Sequence, residues 1–543
     1  MNLETLTLTA KILLTSVYLI TFGLLCAFGL HRFYLSQLFN KHKTRVPKPK
    51  GRFKKLPNIT VQLPVFNEMY VVERLISAVC EIDYPKELLE IQVLDDSTDE
   101  TTEIAENCVN SYKALGFQVN HIHRDNREGF KAGALEEGLK HAKGELIAIF
   151  DADFIPPKDF LQKTVHFFSD PKIGMVQVRW GHVNLNYSTL TKAQSILLDG
   201  HFVIEQASRF YGNRFFNFNG TAGVLRKKCI ESAGGWQHDT LTEDLDLSYR
   251  AQLKGWKFIY LKDVVAEAEL PVDMNAFKSQ QHRWAKGAIQ TAKKLLPQIL
   301  RNKELPLRIK TEAAFHLLGN FSYVFLLVLL FLMFPMAYFW HGIGWENVIL
   351  INLFAISAGT LSVVRFYIVT LKEVYGKRWI SYAKYIPVSF ALGAGIAINN
   401  SKAVFEALFG KASEFKRTPK LAVISKVDNW RTRKYTSSKE LTTLVELAVG
   451  FLFLFQTFYA IFMKHIGWIP FLVIIQVGFF YTSMLSIFHS MQKQPVGINP
   501  LGLAPKRALT EQNGGQIKSS GDNVLAATLT SKSQNRETHL IFK

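Results

Sequence analysis

The sequence predicts a multi-pass membrane protein in which an α/β domain with a mainly parallel sheet is inserted between transmembrane helices. Two features of the 543 residues predict this fold. Long apolar blocks occur near the N-terminus and again beyond residue 310, and they are long enough to cross a bilayer. Between them, from 56 to 300, strand and helix patterns alternate at the spacing of βαβ units.

The formal net charge of +19 raises the question of nucleic acid binding. Much of the positive excess lies beside the apolar blocks, at 41–55 and 411–439, where cytoplasmic flanks in contact with anionic lipid explain it. We therefore expect a lipid bilayer and no nucleic acid among the partners. The four cysteines show no CxxC spacing, which favours reduced residues over zinc ligands or disulfides.

The first apolar block predicts a transmembrane helix at 11–31, after a short extracytoplasmic N-terminus at 1–10. It lacks a small-residue cleavage site, so a retained anchor is expected rather than a signal peptide. A basic juxtamembrane segment follows at 32–55. The positive-inside tendency then places the domain at 56–300 in the cytoplasm, on the plasma (inner) membrane or another endomembrane.

Two pairs of transmembrane helices are predicted after the domain, which gives five crossings. The first pair occupies 313–371, as Ala313–Trp340 and Val348–Leu371, and the second occupies 441–490, as Leu444–Met463 and Ile469–Phe488. Within 385–440, the apolar segment Tyr385–Ile398 is short and basic on both flanks, which favours an interfacial helix over a crossing. The polar tail at 491–543 is predicted to be disordered.

Inside the domain, strands are predicted at Ile59–Leu63, Ile91–Leu94, Gln118–Ile122 and Leu146–Phe150. Helices are predicted at Glu68–Cys80, at Glu100–Leu115 and from Ala132 onward. The fourth strand runs directly into Asp151 and Asp153. Residues i and i+2 of extended chain project to the same side, so both acids can reach one divalent cation carrying phosphate. A solvated acidic turn is the alternative interpretation.

Other charged residues have spacings that suit the same chemistry. Asp95 and Asp96 end the second strand, and Glu243 and Asp244 follow Thr242, a candidate helix N-cap. The helix dipole favours an ionised Asp244, as a general base requires. Lys131, between Gly129 and Gly133, can neutralise a diphosphate. In the Gln280–Trp284 segment, Arg283 offers a fork for pyrophosphate and Trp284 a flat face for a sugar. A plain helix cap and ordinary packing are the alternatives.

The series Asp95-Asp96-Ser97, Asp151-Ala152-Asp153, Thr242-Glu243-Asp244 and Gln280-Gln281-His282-Arg283-Trp284 resembles the D, DxD, TED, QxxRW signature of processive family 2 glycosyltransferases, the cellulose synthase superfamily. The segments 93–99, 218–223 and 269–271 are similar to the cellulose-synthase-like A and C glucomannan and glucan synthases and their bacterial relatives. The resemblance covers 56–300 closely and the membrane part more loosely.

The resemblance implies an α/β GT-A glycosyltransferase domain and an inverting mechanism, with Asp244 as catalytic base and Mg²⁺ or Mn²⁺ as cofactor, held by Asp151 and Asp153. It further implies a nucleotide-sugar site and an acceptor site. The nucleotide-sugar site comprises Asp95, Asp96, Lys131, Gln280 and Arg283. The acceptor site comprises Phe218, Asn219, Gly220, Thr221, Glu243 and Trp284.

The segment 415–420 resembles the FxVTxK gating loop of cellulose synthases, with Phe415, Thr418 and Lys420 at the motif positions. Arg417 stands where the family has valine, and a basic loop flanking the membrane is the alternative interpretation.

The activity that the resemblance implies is hexose transfer from GDP-mannose or UDP-glucose to the non-reducing end of a growing β-1,4-linked mannan, glucomannan or glucan, with translocation of the product. A non-processive enzyme that makes a glycolipid shares the acidic motifs and stays open, as does a membrane scaffold with an inactive domain. The donor, the linkage, accessory subunits and a homo-oligomer are also left open.

Overall fold

Seven strands form the sheet at the centre of the computed structural model, which describes residues 3–340, 346–411, 415, 417–435, 442–463 and 469–492. The strands are β1 (Ile59–Val65), β2 (Leu89–Asp95), β3 (Gln118–His123), β4 (Leu146–Ile149), β5 (Ile173–His182), β6 (Gly223–Arg226) and β7 (Lys257–Ala268). Their order is β3-β2-β1-β4-β6-β5-β7. Among the described strands, β6 alone runs antiparallel to its neighbours, so the predicted mainly parallel sheet is confirmed.

The helices of the chain up to the end of the domain are α1 (Leu3–His42), α2 (Val72–Cys80), α3 (Thr101–Ala114), α4 (Phe130–His141), α5 (Phe160–Thr164), α6 (Thr189–Asp199), α7 (Ala207–Tyr211), α8 (Lys227–Ser232), α9 (Glu243–Leu253) and α10 (Met274–Arg301). A π-helical turn, Gly200–Gln206, joins α6 to α7. The later helices are α11 (Leu307–Leu317), α12 (Phe321–Trp340), α13 (Glu346–Tyr375), α14 (Trp379–Ala383), α15 (Ile386–Gly395), α16 (Ala397–Leu408), α17 (Thr442–Phe462) and α18 (Ile469–Met491).

The register of the parallel strands positions the functional loops. Val65 at the end of β1 lies opposite Asp95 at the end of β2, and β4 ends at Ile149, opposite Gln62 of β1. The carboxyl ends of these strands therefore meet at one edge of the sheet, where open α/β sheets bind ligands. Helices cover both faces of β1 and β2, which explains why both strands are almost entirely buried.

Two helix starts differ from the sequence prediction. The helix expected from Glu68 begins at Val72, because Asn67 has a positive φ of 52° and the chain turns before the helix can form. The helix expected from Ala132 begins at Phe130, preceded by Gly129 with a φ of 70°. Glycine adopts this left-handed backbone without a steric penalty, which is why the residue suits this turn.

Three helices among the described residues are long and apolar enough to cross a membrane, namely α1 from Leu8, α17 and α18. A fourth span results if the pair Leu307–Leu317 and Phe321–Met333, bent by 61°, counts as one. The side chains at 346–358 in α13 are outside the description, so the predicted crossing at Val348–Leu371 and the total of five remain predictions. The short apolar helix α15 lies where the interfacial element was expected.

Helix α1 is longer than the helix predicted at 11–31 and continues through the basic segment to His42. The reason is visible at Leu35 and Phe39, which are four residues apart and fully buried against the α/β domain. Three parts of the chain lie wholly or largely outside the described residues. They are the short links inside the two predicted helix pairs, at 341–347 and 464–467, and the tail at 491–543 that was predicted to be disordered.

Candidate active site

A cleft opens at the carboxyl edge of the sheet, between the ends of β1, β2 and β4, the start of α9 and the middle of α10. It is lined by every predicted site residue except Asp95, Phe218 and Thr221. Phe415, Thr418 and Lys420 also line this cleft. Residues that are up to several hundred positions apart in the sequence thus share one site.

Asp151 and Asp153 lie in the cleft and each faces a lysine. Asp151 Oδ1 accepts a hydrogen bond from Lys131 Nζ at 2.5 Å, and Asp153 Oδ2 accepts one from Lys420 Nζ at 2.6 Å. The backbone N–H of Asp151 donates to Thr221 Oγ1 at 2.9 Å, which fixes the turn after β4. The pair is therefore an enclosed, charge-compensated group, in contrast to a solvated acidic turn.

The oxygen set of this pair fits a divalent cation. Asp153 Oδ1 is buried and has no hydrogen-bond partner among the residues that the structure describes. A buried oxygen without a donor is costly unless a ligand satisfies it, and carboxylate oxygens are what Mg²⁺ and Mn²⁺ prefer. Asp151 is about a third exposed to the cleft, which leaves it accessible to an incoming ion.

Asp244 occupies the first turn of α9. Its Oδ1 accepts a hydrogen bond from the backbone N–H of Leu245 at 2.7 Å. Enclosure by the surrounding protein and the negative charge of Glu243 raise the pKa of Asp244, Lys131 partly offsets them, and the result is a pKa of about 7. The expectation that the helix start keeps this group ionised is thus corrected, because burial and Glu243 outweigh the Leu245 N–H that favours the ionised form. A pKa near 7 suits a general base at neutral pH.

Thr242 takes the N-cap position of α9, but its side chain makes no cap hydrogen bond. Its hydroxyl instead lies 3.4 Å from Thr291 Oγ1 on α10. Gly287 makes this close packing possible, because a Cβ there would lie 2.5 Å from Thr242 Cγ2. Thr242 therefore ties the start of α9 to the helix that carries Arg283.

Lys131 is the cation at the centre of the cleft. Its Nζ donates to the carbonyl of Gly220 at 2.9 Å, in addition to Asp151, and lies 4.0 Å from Glu243 Oε1. Burial alone would lower the pKa of Lys131, but the charges of Asp151 and Glu243 hold it above the usual range. The lysine is therefore protonated and positioned to meet a phosphate.

Gly220 approaches both Lys131 and Asp244 more closely than any other residue type could. It has a φ of 80°, and a Cβ there would lie 2.9 Å from Asp244 Oδ2 and 3.3 Å from Lys131 Nζ. Its neighbour Asn219 also lines the cleft, and the Asn219 Oδ1 accepts a hydrogen bond from Gln206 at 2.6 Å.

Gln280, Arg283 and Trp284 of α10 all line the cleft. The guanidinium carbon of Arg283 lies 4.5 Å from the centre of the Phe415 ring, which itself stacks on Phe130 at 5.9 Å. Burial lowers the pKa of Arg283, although a guanidinium remains charged at any physiological pH. These contacts hold Phe415 at the cleft.

Three predicted site residues have other positions. Asp95 is fully buried below the cleft, where its Oδ1 accepts a hydrogen bond from the backbone N–H of Ser97 at 2.8 Å. Phe218 packs in the apolar core, and Thr221 is buried and supports Asp151. Asp96 does reach the cleft, but its two oxygens accept hydrogen bonds from Arg124 at 2.7 and 2.6 Å.

Several cleft residues were not among the predicted site residues. Burial raises the pKa of Glu68 to about 7, and Arg417 lies 3.4 Å from its Oε1. Burial also raises the pKa of Glu269, which pairs with Arg74 at 2.6 Å. Glu68 lies three residues after the end of β1, and Glu269 directly follows β7, so their positions after strands were the signal available in the sequence.

Comparison with known proteins finds one family over the domain. Residues 57–287 match the family described as "Glycosyltransferase like family 2". The chain is 43% identical over 270 residues to "Glucomannan 4-beta-mannosyltransferase 1" of Oryza sativa subsp. japonica, a match covering 49% of this chain and 51% of that protein. It is 44% identical over 254 residues to "Glucomannan 4-beta-mannosyltransferase 2" of Arabidopsis thaliana, covering 46% and 48%. The chain spans about half the length of the curated relatives it matches.

Among solved structures, the chain is similar to a mannosyltransferase from Pyrobaculum calidifontis in complex with GDP-Man and Mn²⁺. The TM-score is 0.49 at 19% sequence identity, and the match covers 74% of this chain and all of the other.

Proposed function

Because residues 57–287 form a family 2 glycosyltransferase domain, we propose that this chain transfers a hexose from a nucleotide sugar to the non-reducing end of a β-1,4-linked glycan. The observation that carries the proposal is the meeting of Lys131, Asp151, Asp153, Asp244 and Arg283 in one cleft. Cations for a diphosphate, oxygens for a metal ion and a base of suitable pKa are the groups that this transfer requires.

The proposed donor is GDP-mannose and the proposed product a mannan or glucomannan. Support comes from the names of the relatives that are 43% and 44% identical, both glucomannan 4-beta-mannosyltransferases. UDP-glucose is the other donor that the sequence motifs allow, and the experiment below distinguishes the two. The relatives do not favour the glycolipid alternative.

In the proposed reaction, Lys131 and Arg283 neutralise the charge that develops on the leaving nucleoside diphosphate. Asp244 takes the proton from the acceptor hydroxyl, which then attacks the anomeric carbon from the face opposite the diphosphate and inverts its configuration. Trp284 presents a flat face to the acceptor sugar, with Glu243, Asn219 and Gly220 beside it. A divalent cation held by Asp151 and Asp153, Mg²⁺ or Mn²⁺, would add charge neutralisation at the diphosphate.

The remaining parts of the proposal concern the membrane. The segment with Phe415, Thr418 and Lys420 acts as a gating loop, supported by its stacking on Arg283 and Phe130 and by the Lys420–Asp153 contact. The domain faces the cytoplasm, supported by the basic residues at 32–55, and the membrane helices pass the product outward.

The test uses membranes containing the protein, incubated with radiolabelled GDP-mannose or UDP-glucose, with and without Mn²⁺. The proposal expects label from GDP-mannose in a polymer that an endo-β-mannanase degrades, and only with the metal. A product of one sugar on a lipid would overturn the polymer assignment, and incorporation from UDP-glucose alone would overturn the donor assignment. No incorporation from either donor would overturn the proposed activity.

A further inference from the structure

We propose a second metal site, for a transition-metal ion of the Zn²⁺ type, formed by Asp95, His121 and His123. The site lies at the open edge of the sheet, where β3 is the terminal strand and β2 its only neighbour. It is separate from Asp151 and Asp153 and does not depend on the proposed transfer reaction.

Strand geometry brings the three residues together. His121 and His123 are two apart on β3 and therefore project to the same face. Asp95 pairs with His123 across the ladder between β2 and β3, so its carboxylate lies on that face too. One oxygen, Asp95 Oδ2, lies 3.1 Å from His121 Nε2 and 3.1 Å from His123 Nδ1. The three candidate ligand atoms all lie within 4.8 Å of one another.

These separations suit a shared ion. An ion at about 2.1 Å from each of two ligands places those ligands roughly 3 to 3.4 Å apart in tetrahedral or octahedral geometry. The two distances of 3.1 Å from Asp95 Oδ2 fall in that range. Two imidazoles with one carboxylate are typical of Zn²⁺ and similar borderline ions, whereas Mg²⁺ prefers oxygen ligands.

The groups behind the candidate ligands support them further. Asp95 is fully buried, and the Ser97 N–H holds its other oxygen, Oδ1, at 2.8 Å, which turns Oδ2 toward the histidines. The distal nitrogen of His123 lies 4.0 Å from Asp125 Oδ1, beyond hydrogen-bond distance, so this exposed carboxylate adds negative charge near the imidazole.

The two histidines differ in how far their side chains are exposed to solvent. The side chain of His121 is 13% exposed and that of His123 is 36% exposed, so an ion can enter from the His123 side and complete its coordination with water. Bound there, it would fasten the edge strand β3 to β2. The N–H of Arg124, the next residue, donates to the carbonyl of Asp95, and Arg124 begins the loop that leads to α4, the helix that carries Lys131.

The experiment is a Co²⁺ titration of the full-length, metal-free protein in detergent, purified without a polyhistidine tag. Co²⁺ replaces Zn²⁺ in such sites and gives visible absorption bands with imidazole ligands. We expect bands that saturate with one Co²⁺ per chain and disappear on addition of Zn²⁺. His121→Gln and His123→Gln should each weaken binding at least about 10-fold, because both remove a ligand.

Two further variants make the result specific. Asp151→Asn/Asp153→Asn should leave the Co²⁺ bands unchanged, and so should His141→Gln, which removes an exposed histidine on α4. Equal melting temperatures of the metal-free variants exclude misfolding as the cause of lost binding. Absence of the bands in the wild type, or their persistence in the His121→Gln/His123→Gln variant, would overturn the site and leave simple hydrogen bonds to Asp95.

The proposed metal site and the proposed sugar transfer can each be refuted without refuting the other. Sugar transfer without the Co²⁺ bands would overturn this site alone. The Co²⁺ bands without sugar transfer from either donor would overturn the proposed activity alone.

Discussion

The contact between Lys420 and Asp153 predicts that metal binding competes with Lys420. The lysine ammonium lies 2.6 Å from the carboxylate oxygen, with both side chains largely buried, at 16% and 2% exposure. A divalent cation bound at Asp153 Oδ1, the oxygen without a hydrogen-bond partner among the described residues, would share one carboxylate with this ammonium, and the two positive charges would repel each other. Lys420→Met removes the competitor and leaves a buried carboxylate unpaired, and both effects favour the metal.

The expected change in Mn²⁺ affinity follows from the strength of the Lys420–Asp153 contact. The gross attraction between unit charges about 4 Å apart is about 4 kcal/mol at an effective dielectric constant of about 20. Because desolvation offsets part of it, a hydrogen bond to a charged group contributes about 1.5–3 kcal/mol net. Since about 1.4 kcal/mol is tenfold in an equilibrium constant, Lys420→Met should bind Mn²⁺ about 10- to 100-fold more tightly in the absence of nucleotide sugar.

The assay is a Mn²⁺ titration of the donor-free protein, followed by electron paramagnetic resonance of the free ion. Lys426→Met is the matched control, because it removes an exposed lysine six residues after Lys420 and should leave the Kd for Mn²⁺ unchanged. Asp153→Asn should weaken binding. A Kd for Lys420→Met within about twofold of the wild type would refute the competition, since even the lower estimate predicts a tenfold change.

Two further predictions concern the base and the glycine beside it. With the pKa of Asp244 raised to about 7, kcat/KM for transfer should rise as pH increases through about 7, because the base must be deprotonated. Glu243→Gln should move that midpoint to lower pH, since the charge of Glu243 raises the pKa, and an unmoved midpoint would count against the coupling. Gly220→Ala should abolish transfer, because its Cβ would lie 2.9 Å from Asp244 Oδ2, whereas Gly255→Ala, with a similar φ of 89° but no atom within 4 Å, should retain it. An equal loss of transfer in both glycine variants would indicate that backbone strain, and not the contact with Asp244, causes the effect.

Local sequence patterns predicted the parts of the site that local structure determines. Asp151 and Asp153 were predictable because a buried strand ends just before them and their spacing of two sets their direction. The partner of Asp153 could not be predicted in this way, because Lys420 is 267 residues away and only the folded chain brings the two together. Asp96 similarly pairs with Arg124, 28 residues later, through the β2–β3 ladder.

Burial was the property that the sequence conveyed least. Phe218 and Asn219 are adjacent in a motif, yet Phe218 enters the core while Asn219 lines the cleft. The helix dipole predicted an ionised Asp244, whereas enclosure of the carboxyl raises its pKa to about 7. The basic character of the segment 32–55 concealed Leu35 and Phe39, whose burial extends α1 onto the domain.

The Asp244→Asn variant, measured for both transfer and donor binding, tests most directly whether this cleft is the catalytic site. Transfer should fall by about 10²- to 10⁴-fold, the usual contribution of a general base. Binding of GDP-mannose with Mn²⁺ should persist, because Asn keeps the shape of the side chain and Lys131, Asp151, Asp153 and Arg283 are unchanged. Asp263→Asn, which neutralises an exposed carboxylate outside the cleft, should transfer like the wild type. Wild-type rates of transfer by Asp244→Asn would contradict the assignment of this cleft as the catalytic site with Asp244 as its base.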